Sequence, residues 1–488
     1  MGPRKPMANW QRRLVGLGVP FLLTWMLDVG LTLNGQPPEY WAGDYSRTTE
    51  GAAFYRRLYA VHPAVGVGGH VLWISQYNKC NSFLGGAMRF LLFILVALNC
   101  FALVPAALAA PLPAELMAKE PTSEQITAAI EAFAKRGARY NKFTMPSQEA
   151  PYATLHHFTM PQTSTDADLK NLPNLPFRFS LRLVFSKVTD DGIRELKTLD
   201  NLAELQLDGT SVTDAGLAEF THFKSLTNLY LGGTKITDTG LKELKETKNI
   251  ACLHLSMTSV TDAGIKELNE LKNLTQLGLD GTRVTSLNEL KDLKNLRIVY
   301  MNKTKLNDEG LKNIDALTSL SVIYASEVPL TDVGVQAFNG LKNLKVLALG
   351  RTEITGAAFK ELKGFEGLTR LSLSGTKITD TELGGLRNLP QLSDLDIADT
   401  AVTDTGLKEL KAIKHLTTLN LARAQITDAG LDEIKELESL REVSMFGTRI
   451  TGDGAKQLQK ALPNCEIRTD FPSAKELFGP KQDAKKPK

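Results

Sequence analysis

The chain has 488 residues, 57 lysines and arginines against 54 aspartates and glutamates, and a net charge of +3. So even a balance gives no general case for nucleic acid as a partner. The length exceeds one ordinary globular core, which leaves several domains or an array that grows in one direction.

Residues 1–87 stand apart in composition. All four tryptophans, Trp10, Trp25, Trp41 and Trp73, lie there. Leu14–Leu33 is mostly apolar, with Arg12-Arg13 before it and Asp28 inside; Val61–Ile74 is a second apolar run, short and glycine-rich. Both have the character of membrane segments, weakened by Asp28 in one and by length in the other. Met88-Arg89 then opens an apolar run from Phe90 to Val104 that ends Ala107-Leu108-Ala109 before Pro111. A methionine, a positive charge, an apolar core and a small-residue end form the order of a secretory signal peptide. Two readings follow. In the favoured one, Met88 is the true start, 88–110 is a signal peptide, and 1–87 is an extension outside the mature protein. The expected location is then the periplasm, the cell surface or the medium. In the other, the segments 14–33, 61–74 and 90–110 anchor the chain in a membrane.

Residues 111–153 read as linker and cap. Pro111–Pro121 is the linker. Thr122–Gly137 has a helix-opening threonine, a stripe of Ile126, Ile130 and Phe133, and a closing glycine. This helix is expected to cover the open end of an array rather than to bind a partner. The pair His156-His157 invites a metal reading. With no neighbouring cysteine or spaced histidine, it is expected to be structural or exposed.

From residue 154 to 467 one unit repeats. Its words include Thr234-Lys-Ile-Thr-Asp-Thr-Gly-Leu-Lys-Glu-Leu244, Val212-Thr-Asp-Ala-Gly-Leu217, Val260-Thr-Asp-Ala-Gly-Ile265 and Ile426-Thr-Asp-Ala-Gly-Leu431. Counted on the first leucine, as Leu202, Leu226, Ile250 and Leu274, the spacing is 24, shortened to 22 between Leu274 and Leu296. The L-x-L of each unit alternates and predicts a short strand with its leucines on one side. Thr-Asp opens a helix, where either side chain accepts from free N–H groups and the carboxylate suits the helix dipole. The following leucines make a short apolar stripe that one unit cannot bury alone, so units must stack.

This pattern resembles the leucine-rich repeat. Its T-D-x-G-L segment is similar to the repeats of ribonuclease-inhibitor-like and F-box-type leucine-rich proteins, and more closely to bacterial arrays of the same kind. The resemblance implies an α/β leucine-rich repeat solenoid (horseshoe), with parallel strands on the concave face and short helices on the convex face. The repeated aspartates, including Asp190, Asp214, Asp238, Asp262, Asp308, Asp332, Asp380, Asp404 and Asp428, hold the helix-start position; capping is expected, not calcium binding. Thr285-Ser286 in the shortened unit predicts a truncated, 3₁₀-like helix there. Residues 468–488, ending Lys485-Lys-Pro-Lys488, read as a disordered basic tail.

The outward strand positions form columns across neighbouring strands, which lie about 4.8 Å apart. The middle column brings together Tyr230, His254, Tyr300 and Tyr324, with Ile298 and Val322 beside them. Aromatic and apolar side chains on an otherwise polar surface mark a candidate protein-binding spot, although strands also favour tyrosine for its own sake. Asp394, Asp396 and Asp399 make a smaller acidic area near Arg370.

No zinc-protease, serine-hydrolase, phosphate-loop or C-x-x-C motif is present. Cys252 and His254 face the same side, yet no third group completes a nucleophile. Cys252 and Cys465 are on the order of 40 Å apart by strand count, beyond disulfide reach. The expectation is therefore a monomeric, non-catalytic protein-binding scaffold without cofactor or metal. The alternatives are a substrate receptor like F-box leucine-rich proteins, or an envelope structural protein.

Overall fold

The computed structural model describes residues 120–144, 154–360 and 365–471. The chain divides into two units, Met1–Leu103 and Val104–Lys488, and every described residue belongs to the second. The expectations for residues 1–110 and for the basic tail beyond 471 lie outside the described residues. Among the described residues, no helix is long and apolar enough to cross a membrane.

One sheet of 15 strands runs in chain order from β1 to β15. Its first strands are β1 (Arg139–Thr144), β2 (Thr154–Thr159), β3 (Phe179–Arg182) and β4 (Leu202–Gln206). Each later repeat adds three residues: β5 (Asn228–Tyr230), β6 (Cys252–His254), β7 (Gln276–Gly278), β8 (Ile298–Tyr300), β9 (Val322–Tyr324) and β10 (Val346–Ala348). The array continues through β11 (Arg370–Ser372), β12 (Asp394–Asp396), β13 (Thr418–Asn420), β14 (Glu442–Ser444) and β15 (Glu466–Arg468). From β2 onward every pairing is parallel, with leucine beside leucine, as in Leu229 against Leu253. The inward leucines, such as Leu229, Leu253 and Leu277, are fully buried in one continuous core. The α/β leucine-rich solenoid with a parallel sheet is thus present.

The start of the array is closed by a helix and an antiparallel strand. Helix α1 (Ser123–Ala134) carries a capping box in which Thr122 and Gln125 each accept the other's backbone N–H. Its Phe133 stacks on Phe158 of β2 at 4.3 Å and meets Phe179 of β3 edge-on at 6.0 Å. Strand β1 pairs antiparallel with β2, an element that carries no repeat word. His156 is buried, with the Tyr140 hydroxyl 2.8 Å from its Nδ1, so it belongs to this cap. His157 turns to the outer sheet face, 3.8 Å from Glu204. Among the described residues, no group of side chains has the makings of a metal site.

The helical half of each unit departs from the simple capping scheme. The threonine caps: Thr237 Oγ1 accepts the Thr239 N–H at 3.2 Å. The aspartate instead reaches the next unit. Asp238 Oδ1 accepts the Thr261 N–H at 2.7 Å, and Asp238 Oδ2 accepts the Thr261 hydroxyl at 2.6 Å. The same two-point bridge joins Asp166 to Thr189, Asp190 to Thr213, Asp214 to Thr237, Asp262 to Thr285, Asp308 to Thr331, Asp380 to Thr403, Asp404 to Thr427 and Asp428 to Thr451, while Asp332 holds Thr355 through Oδ2 alone and gives Oδ1 to the Gly356 N–H at 3.1 Å. The carboxylate lies so close to the next unit that a Cβ on Gly264 would stand 2.4 Å from Asp238 Oδ1. The glycine of T-D-x-G is there to admit its neighbour's aspartate. In the shortened unit the helix is a single 3₁₀ turn, Asn288–Leu290, but full-length units such as that of Gly406–Ala412 are 3₁₀ as well, so the missing residues are not the only cause.

Candidate functional site: the outer face of the sheet

Strand alternation sends every second side chain to the outer face, where strand register aligns them in columns. Tyr230 pairs with His254, His254 with Gly278, Gly278 with Tyr300 and Tyr300 with Tyr324. The rings form one ladder. Tyr230 stacks on His254 at 5.0 Å, His254 meets Tyr300 at 5.5 Å, and Tyr300 stacks on Tyr324 at 5.0 Å and 4°. Gly278 makes this possible. A Cβ there would lie 2.1 Å from His254 Nδ1, so the imidazole rests across the glycine and spans the strand between β6 and β8. Gln276 Nε2 lies 2.9 Å from His254 Nε2 and fixes the ring's rotation. Ile298 and Val322 pack with Tyr300 in a cluster of their own, flanked by Tyr324 and Val346.

The sequence-predicted residues are therefore brought together: Tyr230, His254, Tyr300, Tyr324, Ile298 and Val322 form one contiguous strip. Their exposures differ. His254 and Tyr300 are only 1% and 4% exposed, whereas Tyr230 and Tyr324, the two ends, are half-buried. Because the rings face one another, their flat faces are already occupied along the ladder. What the ladder offers outward is confined to its half-buried ends, Tyr230 and Tyr324, since the Tyr300 hydroxyl is buried. Gly278 and Gln276 belong to the site and were not singled out; a glycine amid aromatic column positions was the available signal.

Burial sets the protonation of this strip. It lowers the His254 imidazole to about 3, so the ring is neutral at any physiological pH. It pushes the Cys252 thiol up to about 12 despite the contact with the Tyr230 hydroxyl at 3.6 Å. The thiol contacts the Tyr230 hydroxyl, and Gln276 Nε2 lies against the imidazole.

On either side the face is polar. Toward the start, Glu204 accepts from Ser180 Oγ at 2.9 Å and from Gln206 Nε2 at 2.7 Å. Toward the end, the expected acidic area is neutralised. Arg370 Nε donates to Asp394 at 2.7 Å, Ser372 donates to Asp396 at 2.9 Å, and Asp399 pairs with Arg423 and, at 3.8 Å, with Arg351.

A further row borders the sheet. Each repeat places one residue at positive φ just after its strand: Phe185, Met257, Lys303, Glu327, Arg351, Asp399 and Arg423 stand where Gly209, Gly233, Gly281, Gly375 and Gly447 stand elsewhere. Left-handed backbone costs a non-glycine residue on the order of 1 kcal/mol. Lys303 and Glu327 pair along this row at 3.6 Å, and Arg351 passes over Gly375 to reach Asp399.

A family model described as Leucine rich repeat matches residues 318–378, and a second of the same description matches 224–245 and 412–435. No curated protein matches the chain. Among solved structures, it is similar to an internalin from Listeria monocytogenes at 20% identity, with 75% of this chain and 98% of that chain covered and a TM-score of 0.49. A leucine-rich repeat protein from Leptospira interrogans gives 22% identity, coverage of 61% and 92%, and a TM-score of 0.42. A plant peptide hormone receptor solved in complex with RGF2 gives 16% identity, coverage of 64% and 52%, and a TM-score of 0.39.

Proposed function

From the premise that this chain is a leucine-rich repeat protein, we propose that it is a non-catalytic scaffold that binds a protein partner on the outer face of its sheet. The observation that carries the reading is the four-ring ladder of Tyr230, His254, Tyr300 and Tyr324, bordered by Ile298 and Val322. Aromatic side chains of this kind supply interface anchors at low entropic cost, and a polar rim supplies orientation. The ladder's accessible ends, Tyr230 and Tyr324, are the expected first contacts. A thiol held protonated and an imidazole held neutral support a binding role over a catalytic one.

The scaffold is proposed to act outside the cytoplasm, on the strength of the signal-like segment 88–110. Intact mass and N-terminal sequencing of the native product, with soluble and membrane fractions kept apart, test this. A soluble chain beginning near Ala110 supports export; a membrane-bound chain beginning at Met1 replaces it with an anchored array.

The binding face is tested by capture from extracts of the native cells, comparing the protein with a variant carrying Tyr230→Ala, Tyr300→Ala and Tyr324→Ala. One saturable partner is expected with the first, and at least tenfold weaker binding with the second at an unchanged circular dichroism spectrum. Equal capture by both would move the site off this face.

A further inference from the structure

The cap that closes the start of the array holds one side chain out of keeping with its place. Where β3 puts Phe179 and Leu181 into the core, β2 puts His156 and Phe158. The His156 imidazole stacks on Tyr140 of β1 at 5.9 Å and 22°, and meets Phe177 edge-on at 5.0 Å. Its Nδ1 lies 2.8 Å from the Tyr140 hydroxyl, and its Nε2 is buried with no hydrogen-bond partner among the described residues.

Burial lowers the His156 pKa from 6.5, so the ring is neutral at pH 7. Of the charged groups around it, Glu120, ahead of α1, favours a proton on the ring, whereas Lys142 and His157 oppose one. Lys142 of β1 stands directly across the strand pairing from His156, where like charges repel most. Arg178, next to Phe177, donates to the Thr227 hydroxyl at 3.1 Å.

The other bonds of the cap do not depend on pH in this range. Helix α1 is held by Phe133 against Phe158 and by Arg136, whose guanidinium donates to Asp168 O at 2.7 Å. Strand β1 is held by its six-residue pairing with β2. His157 lies on the opposite side of β2, where Glu204 at 3.8 Å would welcome a proton and Arg182 would resist it. Its charging loads the outer face of the sheet and not the cap.

We infer that α1 and β1 form an acid-released cap: a proton on His156 sets a cation opposite Lys142 within an aromatic cluster, and the cap opens as a unit, uncovering the edge of β2 and the rings of Phe158 and Phe179. The sign follows from linkage. Folding makes His156 harder to protonate, so the open form takes up the proton more readily than the closed one. The closed cap keeps its full stability above pH 6.5 and loses it as the pH falls below that value. With one proton involved, the open fraction grows by up to about tenfold per pH unit. The inference involves no partner, so it stands or falls apart from the binding proposal.

Hydrogen exchange on the full-length chain, read by mass spectrometry at pH 7, 6 and 5 and corrected for the intrinsic rate at each, tests it. Peptides covering 126–142 are expected to open about tenfold more often at pH 5 than at pH 7, while peptides covering 229–231 and 253–255 keep their protection. His156→Gln cannot charge yet can still bond the Tyr140 hydroxyl, and it is expected to abolish the rise. His156→Phe, which matches the Phe179 paired with it, serves in its place if glutamine loosens the cap at pH 7. His157→Gln is expected to leave the rise intact. An opening rate equal at pH 7 and pH 5, or a cap and array that lose protection together, would overturn the inference. So would a folded His156→Gln or His156→Phe variant that opens in acid as the native chain does.

Discussion

At the scale of single residues, the third outward position of two repeats holds a carboxylate in an unfavourable place. Asp280 Oδ1 accepts from Asn302 N–H at 2.7 Å and Asn302 Nδ2 at 2.9 Å, yet burial still raises it from 3.8 to about 7. A carboxyl that binds its proton more tightly when folded stabilises the fold below its unfolded pKa. That stability is lost as pH rises from about 4 through about 7. Asp280→Asn keeps the accepting oxygen and removes the buried charge. It is expected to raise Tm by roughly 2–4 °C at pH 8 and to leave it unchanged below pH 4. Thermal melts at the two pH values decide the matter: an equal shift at both, or a loss at pH 8, would refute the assignment. Asp208, raised to about 6 by the same cause, is the milder case.

At the scale of the repeat element, the bridge and the glycine are one device. Asp238→Ala removes two hydrogen bonds to a charged acceptor and is expected to cost about 1.5–3 kcal/mol. Gly264→Ala puts a methyl 2.4 Å from the same carboxylate and is expected to cost at least as much. Together they are expected to cost clearly less than their sum, because the alanine fills the place the aspartate leaves. Denaturant unfolding of the two single variants and the double variant measures the coupling; additivity within about 0.5 kcal/mol would show the two to be independent. The strands were legible in the sequence because L-x-L and its spacing state both the element and its buried side. The aspartate's task was not, because its partner lies one unit on, where local pattern reasoning does not look. A clue was nonetheless present, in that Gly356 lacks the aspartate and Glu382 lacks the glycine. Strand β1 had no such clue: Arg139–Thr144 becomes a strand because β2 leaves an edge to be paired.

At the scale of the whole array, the columns of the candidate site could be written down before any coordinates, since parallel register follows from a constant repeat. Tyr230, His254, Tyr300 and Tyr324 needed only counting. That the rings touch did not follow from counting, because His254 and Tyr300 stand two strands apart. It depends on Gly278, whose missing side chain lets the imidazole lie down across the gap. The positive-φ row escaped notice for another reason. Methionine, lysine, glutamate, arginine and aspartate at one position announce no shared conformation, and only the glycines among them hint at it.

The bridge that joins Asp238 to Thr261 and its counterparts elsewhere has a bearing on how such a chain changes length. Each bridge knows only its immediate neighbour, and Thr-Asp presents the same pair of groups in unit after unit. Excising residues 213–236 would set Thr237 directly after Val212, beside Asp190, in the place Thr213 held. The junction would read Val-Thr-Asp as before. A gene for this array can thus gain or lose whole units by recombination without leaving a scar, wherever the cut falls between aspartate-bearing turns. The 22-residue unit and the turn at Gly356 are the two places where such an exchange would leave a mismatch.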